Sequence, residues 1–104
     1  MADFKLNTPK LRVIRGSLES PEILEVQAMH PDLTAFDMTR RKHAWGTAQE
    51  ETFRWLSFLA WHALRRENAI PQDLRFETWD ASLIEVQNVE VEDVPPTQED
   101  PGLD

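Results

Sequence analysis

Hydrophobic and polar residues alternate in two short segments near the start of the chain. Residues 11–15 (LRVIR) and 23–28 (ILEVQA) have the period of two that is typical of half-buried strands. The segment between them contains Gly16, Ser17 and Pro21, which are residue types that favour turns. This pattern predicts an N-terminal β-hairpin.

The next segment has the charge order of a helix from about residue 32 to residue 43. Its acidic residues come early and its basic cluster, residues 40–43, comes late, which complements the helix dipole. Gly46 follows shortly afterwards and is expected to end the helix.

Two further helices are predicted. The sequence TAQE at residues 47–50 matches a capping box, so a long helix should begin there and run to about Glu67, before Pro71. A third helix is predicted within residues 73–86, where large apolar side chains recur at helical spacing.

The last residues differ in composition from the rest of the chain. Residues 1–84 hold 12 acidic and 11 basic side chains, whereas residues 85–104 hold seven acidic and no basic ones. Acidic residues, prolines and a lack of aromatic residues are typical of a disordered segment. We therefore predict an α+β domain over residues 1–86, with a β-hairpin followed by a small bundle of three helices, and a disordered acidic tail over residues 87–104.

The segment FRWLSFLAWHAL, residues 53–64, is unusually apolar for so small a protein. At about 100° per residue, Phe53, Leu56, Ala60 and Leu64 form one core stripe. The remaining large apolar residues of this segment point in other directions. They are Trp55, Phe58, Leu59 and Trp61.

Three explanations fit a helix that is apolar on all sides, namely a membrane span, central burial or contact with a partner. Twelve residues rise only about 18 Å, which is too short for a hydrocarbon core of about 30 Å. Central burial and partner contact both remain open. Tryptophan is enriched at binding hot spots. If the helix contacts a partner, we expect a partner-binding surface that is formed by Met38, Trp45, Trp55, Phe58 and Trp61.

The composition argues against most other classes of function. The chain has no cysteine and three histidines without metal-ligand spacing, so we expect no metal and no cofactor. It contains no nucleophile motif and no phosphate-binding glycine loop, so we expect no enzymatic activity. The net charge of −8 argues against binding nucleic acid, and no signal for export is visible.

Several segments in the same order resemble a known family. They are DLTAFDMTRRKHAWG at residues 32–46, FRWLSFLAWHALRRENAIP at 53–71, FETWDASLIEV at 76–86 and the acidic PPTQEDPG at 95–102. Together with the hairpin, they resemble the tail assembly chaperones of long-tailed, siphovirus-like phages, especially those that infect actinobacteria. The resemblance covers roughly residues 10–104.

This resemblance implies a non-enzymatic assembly factor in the host cell cytoplasm. Such a protein binds the tape measure protein, keeps its long apolar helices soluble, and self-associates as a homo-oligomer. A longer form, made by programmed frameshifting near residues 95–102, would recruit the tail tube protein.

Two other classes of function share features with this chain. A small regulatory or adaptor domain for protein–protein interaction would also present surplus apolar surface, and it stands as the alternative. An acidic inhibitor that mimics nucleic acid would need ordered carboxylates, whereas the acidic excess here lies in the expected tail.

Overall fold

The computed structural model describes residues 7–89, which form a three-stranded sheet and three helices. The elements in chain order are β1 (Lys10–Ser17), β2 (Ser20–Gln27), α1 (His30–His43), α2 (Thr52–Arg66), α3 (Phe76–Ala81) and β3 (Leu83–Asn88). The fold is mixed α+β, and both strands of the hairpin precede the helices, as the sequence predicted.

The predicted hairpin is confirmed, although its turn is tighter than expected. Strands β1 and β2 pair antiparallel from Lys10 opposite Gln27 to Ser17 opposite Ser20, so only two residues form the turn. Gly16 lies within the strand, where its φ of 93° suits a residue without a side chain. The hairpin therefore extends several residues beyond the alternating segments of the sequence.

The sheet has an apolar inner face that packs on the helices. Leu11 and Val13 of β1 are fully buried, and Val26 of β2 is nearly so. The opposite face carries Ile14 paired with Ile23, and Ile23 is exposed. This alternation places all three helices on one side of the sheet.

The predicted first helix is confirmed, but its end is set by Ala44 and not by Gly46. Ala44 adopts a left-handed conformation with φ of 60°. The Trp45 N–H donates to the Arg40 carbonyl at 2.8 Å, and the Ala44 N–H donates to the Arg41 carbonyl at 3.4 Å. These two bonds form a Schellman motif, which turns the chain so that Trp45 packs back against Phe36.

The expected start of the long helix at Thr47 is wrong by five residues. Thr47 and Glu50 do exchange capping hydrogen bonds, at 2.9 and 3.3 Å, but they close a turn. Helix α2 begins at Thr52 because the backbone of Glu51 is not helical. The Glu51 carboxylate instead accepts a hydrogen bond from the Gly46 N–H at 2.7 Å. The helix ends at Arg66, close to the predicted residue.

The third helix is much shorter than predicted. α3 contains only six residues, and the segment from Leu83 onward is a strand that pairs antiparallel with β1. The prediction of a helix through Val86 is therefore wrong, and the sheet order is β2-β1-β3. Trp79 and Leu83 have helical spacing in the sequence, which led to the prediction of one helix. In the structure, Trp79 is a buried residue of α3, whereas Leu83 is the first residue of β3.

Helix α2 lies at the centre of the fold and contacts every other helix and strand. Its buried residues are Leu56, Ser57, Phe58, Leu59, Ala60, Ala63 and Leu64. Central burial therefore accounts for much of its apolar surface. Phe53, which was predicted on the core stripe, is 87% exposed in the first helical turn, so that prediction is wrong.

The predicted tail begins at residue 87, yet Gln87 and Asn88 belong to β3. Residues 90–104 lie outside the described part of the chain, and so does the predicted disorder there. Among residues 7–89, none of the helices has both the length and the apolar character that a bilayer span needs.

Candidate protein-binding groove

An aromatic groove lies between the C-terminal half of α1, helix α2 and the segment that leads into α3. Its volume is about 370 Å³. Its aromatic lining comes from the loop after α1, from α2 and from the start of α3, and consists of Trp45, Phe58, Trp61 and Phe76. Thr39 and His43 form the α1 wall, and Arg65 and Arg75 stand at the opposite rim.

Phe58 forms the floor of this groove. Its side chain is only 2% exposed, and its ring contacts the rings of Trp61, Phe76 and Trp45 at centroid distances of 5.3, 5.7 and 6.3 Å. Most of these rings meet at tilted or edge-on angles, which is the arrangement that aromatic quadrupoles favour. Phe58 therefore fixes the positions of the exposed aromatic residues and contributes little free surface.

Trp61 forms one wall of the groove. Its indole N–H donates to the Leu74 carbonyl at 2.9 Å, and the Arg65 guanidinium lies 4.5 Å from its ring centroid. Arg65 is held in turn by the Gln72 carbonyl, which accepts from its Nε at 3.0 Å. The indole has its polar group satisfied inside the chain, while its ring is partly exposed in the groove.

Trp45 forms the facing wall, in the loop after α1. His43 stacks on it with centroids 5.2 Å apart, and the Arg54 guanidinium lies 4.6 Å from its ring centroid. Phe76 sits between the two tryptophans, at 5.7 Å from Trp45 and 5.5 Å from Trp61. The three rings form one continuous and partly exposed aromatic surface.

The structure brings together three of the five residues that were predicted to bind a partner. Trp45, Phe58 and Trp61 line the groove, but Trp55 and Met38 do not. Trp55 is half-buried and packs against the core, whereas Met38 is 67% exposed on α1 outside the groove lining. Phe76 lines the groove too, although the sequence pattern indicated only that it belongs to the predicted third helix.

A buried ion cluster holds α1 against α2, and sequence reasoning missed it. The Asp32 side chain is fully buried. Its carboxylate accepts from the Met29 N–H at 2.8 Å, from His62 Nδ1 at 2.6 Å and from Arg66 Nη2 at 2.8 Å. His62 and Arg66 are one turn apart on α2, and this i,i+4 spacing of two cationic residue types was the available signal.

Asp32 is ionised in this cluster. Burial disfavours its charged form and by itself would raise its pKa. The hydrogen bonds from Arg66, His62 and the Met29 N–H, with the attraction of Arg66, outweigh burial and lower the pKa of Asp32 below its ordinary value. The same pairing raises the pKa of Arg66. The cluster therefore orients α1, which carries one wall of the groove.

A second set of hydrogen bonds positions α3, which begins with the groove residue Phe76. The Trp79 indole N–H donates to the Ser57 carbonyl at 3.1 Å, and the Ser57 hydroxyl donates to Asp80 at 2.7 Å. Trp79 is fully buried. These bonds join α2 to two consecutive residues in the last turn of α3. They fix this short helix, and with it Phe76, against α2.

Another depression, of about 490 Å³, lies near the start of α2. It is bordered by Phe53 and by polar residues, namely Glu50, Glu51, Thr52, Arg54 and Asp80. Within residues 7–89, His, Asp and Glu side chains form no group of three that could hold a metal ion. Only one aromatic residue borders this depression, whereas four line the aromatic groove. The aromatic groove is therefore the better candidate for a protein-binding surface.

The chain was compared with protein-family models, with curated proteins and with solved structures, and none of the three comparisons found a match.

Proposed function

We propose that this chain is a non-enzymatic protein-binding domain whose aromatic groove takes an apolar helix of a client protein. The observation that supports this proposal is the concentration of Trp45, Trp61 and Phe76 in one groove, with part of each ring exposed. A small domain that only needed a core would bury these rings more completely, because exposed aromatic surface is costly in water.

The size and chemistry of the groove suit a helical ligand. Its volume of about 370 Å³ lies within the range of about 300–1,000 Å³ for small-molecule clefts, which is room for a few large side chains of a helix. Amphipathic helices bind in apolar grooves through side chains at i, i+3 or i+4, and i+7. If binding covers about 40 Å² of the exposed aromatic surface, the gain is about 1 kcal/mol before the costs of association.

We further propose that the client is the tape measure protein of a siphovirus-like phage and that the chain is a tail assembly chaperone. The support for this narrower proposal is the resemblance of residues 32–46, 53–71 and 76–86 to that family. On this proposal the protein acts in the host cell cytoplasm as a homo-oligomer. A frameshifted longer form would add contact with the tail tube protein.

The test is co-expression with the tape measure protein, using one substitution that blocks the groove and a matched control. Thr39→Arg places a long side chain on the α1 wall of the groove, and Thr34→Arg makes the same change at an exposed position of the same helix. We expect Thr39→Arg to lower the soluble yield of the client, while Thr34→Arg leaves it at the wild-type level.

Two results would contradict the proposal. Equal client solubility with both folded variants would mean that the groove is not the binding surface. If the wild-type chain fails to solubilise the tape measure protein but binds another amphipathic helix through Thr39, the adaptor alternative would replace the chaperone.

A further inference from the structure

The aromatic groove has a candidate occupant within the same chain. Residues 93–101 read DVPPTQEDP, so two adjacent prolines and a third one lie among acidic residues. We propose that this proline-containing segment of the same molecule docks in the groove formed by Trp45, Trp61 and Phe76 and masks it. This inference concerns the same groove as the proposed function, but it does not depend on any client.

Proline-rich segments have a chemical match in aromatic grooves. Adjacent prolines favour a polyproline II conformation, in which the chain is already extended before it binds. Proline rings pack on the faces of tryptophan and other aromatic side chains in such grooves. Here the two tryptophans flank Phe76 at 5.7 and 5.5 Å between ring centroids, which gives adjacent prolines a continuous surface.

The charge around the groove also matches this segment. Residues 90–104 carry six acidic and no basic side chains. Beside the groove, the end of α1 carries Arg40, Arg41 and Lys42, and Asp37 is the acidic partner of the first two. At the other rim, Arg75 is 80% exposed, and its Nε lies 3.9 Å from the Glu77 carboxylate, which is too far for a hydrogen bond. Asp73 and Glu77 also border the groove, so the acidic residues of the segment should face the α1 end.

The chain leaves β3 at the end of the sheet that contacts the C-terminal end of α2. The Val89 N–H donates to the Lys10 carbonyl at 2.7 Å, and Lys10 pairs with Gln27 across the hairpin. The Gln27 carbonyl in turn accepts from Arg66 Nη2 at 3.3 Å, and Arg66 follows Arg65 on α2.

This path makes the groove reachable. Two strand spacings, or about 10 Å, separate Val89 from Gln27. An extended chain can cover about 20 Å between Val89 and Pro95 and about 40 Å between Val89 and Pro101. The residues from Pro95 to Pro101 can therefore extend well past Gln27, toward the α2 side chains that border the groove.

The experiment uses the full chain with one nitroxide spin label. The chain has no cysteine, so Gln98→Cys provides a unique attachment point in the segment. Paramagnetic broadening is then measured on the indole N–H signals of Trp45 and Trp61, and on the backbone N–H of Ile23. Ile23 serves as the reference because it lies on the sheet face opposite the helices.

We expect both indole signals to be lost and the Ile23 signal to be kept. A second sample mixes isotope-labelled chains that carry no nitroxide with unlabelled chains that carry it, and there the indole signals should persist. Adding Pro95→Gly and Pro96→Gly to the labelled chain should restore the indole signals, because the proline contacts with the tryptophan rings are removed.

Four results would overturn the proposal. They are indole signals that persist in the first sample, equal broadening of Ile23, loss of the indole signals in the mixed sample, and continued broadening after the glycine substitutions. The third result would mean that a second copy supplies the segment. Because no client is present, none of these results bears on client binding, and a failure of client binding would leave them unchanged.

Discussion

Asp32 is the fully buried carboxylate that joins α1 to α2, and it provides a direct test of how the groove wall is held. Asp32→Asn removes the negative charge while Arg66 and His62 keep their positions beside it. We expect a loss of about 2–4 kcal/mol in the free energy of unfolding, because the hydrogen bonds to a charged acceptor are lost inside the protein. Urea unfolding at neutral pH measures this difference.

The same carboxylate predicts a dependence of stability on pH. The pKa of Asp32 is lower in the folded state than in the unfolded state, where it is about 3.9. Its contribution is therefore complete above about pH 4 and is lost as the pH falls through the lower folded value. The stability difference between wild type and Asp32→Asn should shrink on acidification below pH 4.

Asp37→Asn is the matched control for this residue. Asp37 is on the same helix and pairs with Arg40 and Arg41, but its side chain is 47% exposed. Its replacement should cost less than about 1 kcal/mol, as is usual for exposed ion pairs. Equal losses for the two variants would contradict the role assigned to Asp32.

Ala44 tests the turn that places Trp45 in the groove. An alanine in the left-handed region costs about 1–2 kcal/mol, and glycine avoids this cost but loses more entropy on folding. Because φ is 60° at Ala44, we expect Ala44→Gly to raise the free energy of unfolding by about 0.5–1 kcal/mol. Ala35→Gly, within α1, should instead lower it by about 1 kcal/mol. Thermal unfolding of both variants tests the prediction, and a loss at Ala44 would refute the motif.

At the scale of the secondary-structure elements, α2 provides a test of what its apolar residues do. Leu56 is 7% exposed and Phe53 is 87% exposed, although helical spacing puts both on one stripe. Leu56→Ala should cost about 2–5 kcal/mol. Phe53→Ala should change stability by less than about 0.5 kcal/mol, as is usual at exposed positions. Chemical unfolding distinguishes the two, and a large loss at Phe53 would show that it packs in the folded protein.

The hairpin and the first two helices could be predicted because their signals are local. The alternation around Leu11 and Val13, and the turn residues after them, depend on neighbouring positions only. Strand β3 could not be predicted in this way, because its pairing partner β1 is more than 60 residues earlier in the chain. Its apolar residues also continued a helical spacing from Phe76, so the local pattern favoured the wrong element.

Only part of the candidate site could be predicted, because the rest depends on contacts between distant parts of the chain. The aromatic content of α2 indicated a surface that includes Trp61, but the direction of each ring depends on which side of α2 the sheet covers. Phe58 is buried against Phe36 of α1 and the aromatic residues of the groove, and Met38 lies outside the groove lining. Asp32 lies 30 and 34 positions before His62 and Arg66, so the i,i+4 spacing of those two residues could not identify it as their partner.

At the scale of the whole molecule, one helix serves both as the core and as a wall of the groove. The inner faces of the sheet and of α1 cover most of α2, while the edge that carries Trp61 stays partly open beside Phe76 and Trp45. The hydrogen bonds of Asp32 fix the α1 side, and those of Trp79 fix the α3 side. These contacts hold the groove walls in position without a partner, and such preorganisation lowers the entropic cost of binding.

The four tryptophans allow the most direct test of the claim that this groove binds the client. Trp45 and Trp61 line it, whereas Trp55 lies outside it and Trp79 is fully buried. The four indole N–H signals can be followed by NMR while an amphipathic helix from a tape measure protein is titrated into the full chain. The account predicts that the Trp45 and Trp61 signals shift with one common dissociation constant while the Trp55 and Trp79 signals stay in place. Binding that shifts Trp55 and leaves Trp45 and Trp61 unchanged would contradict it.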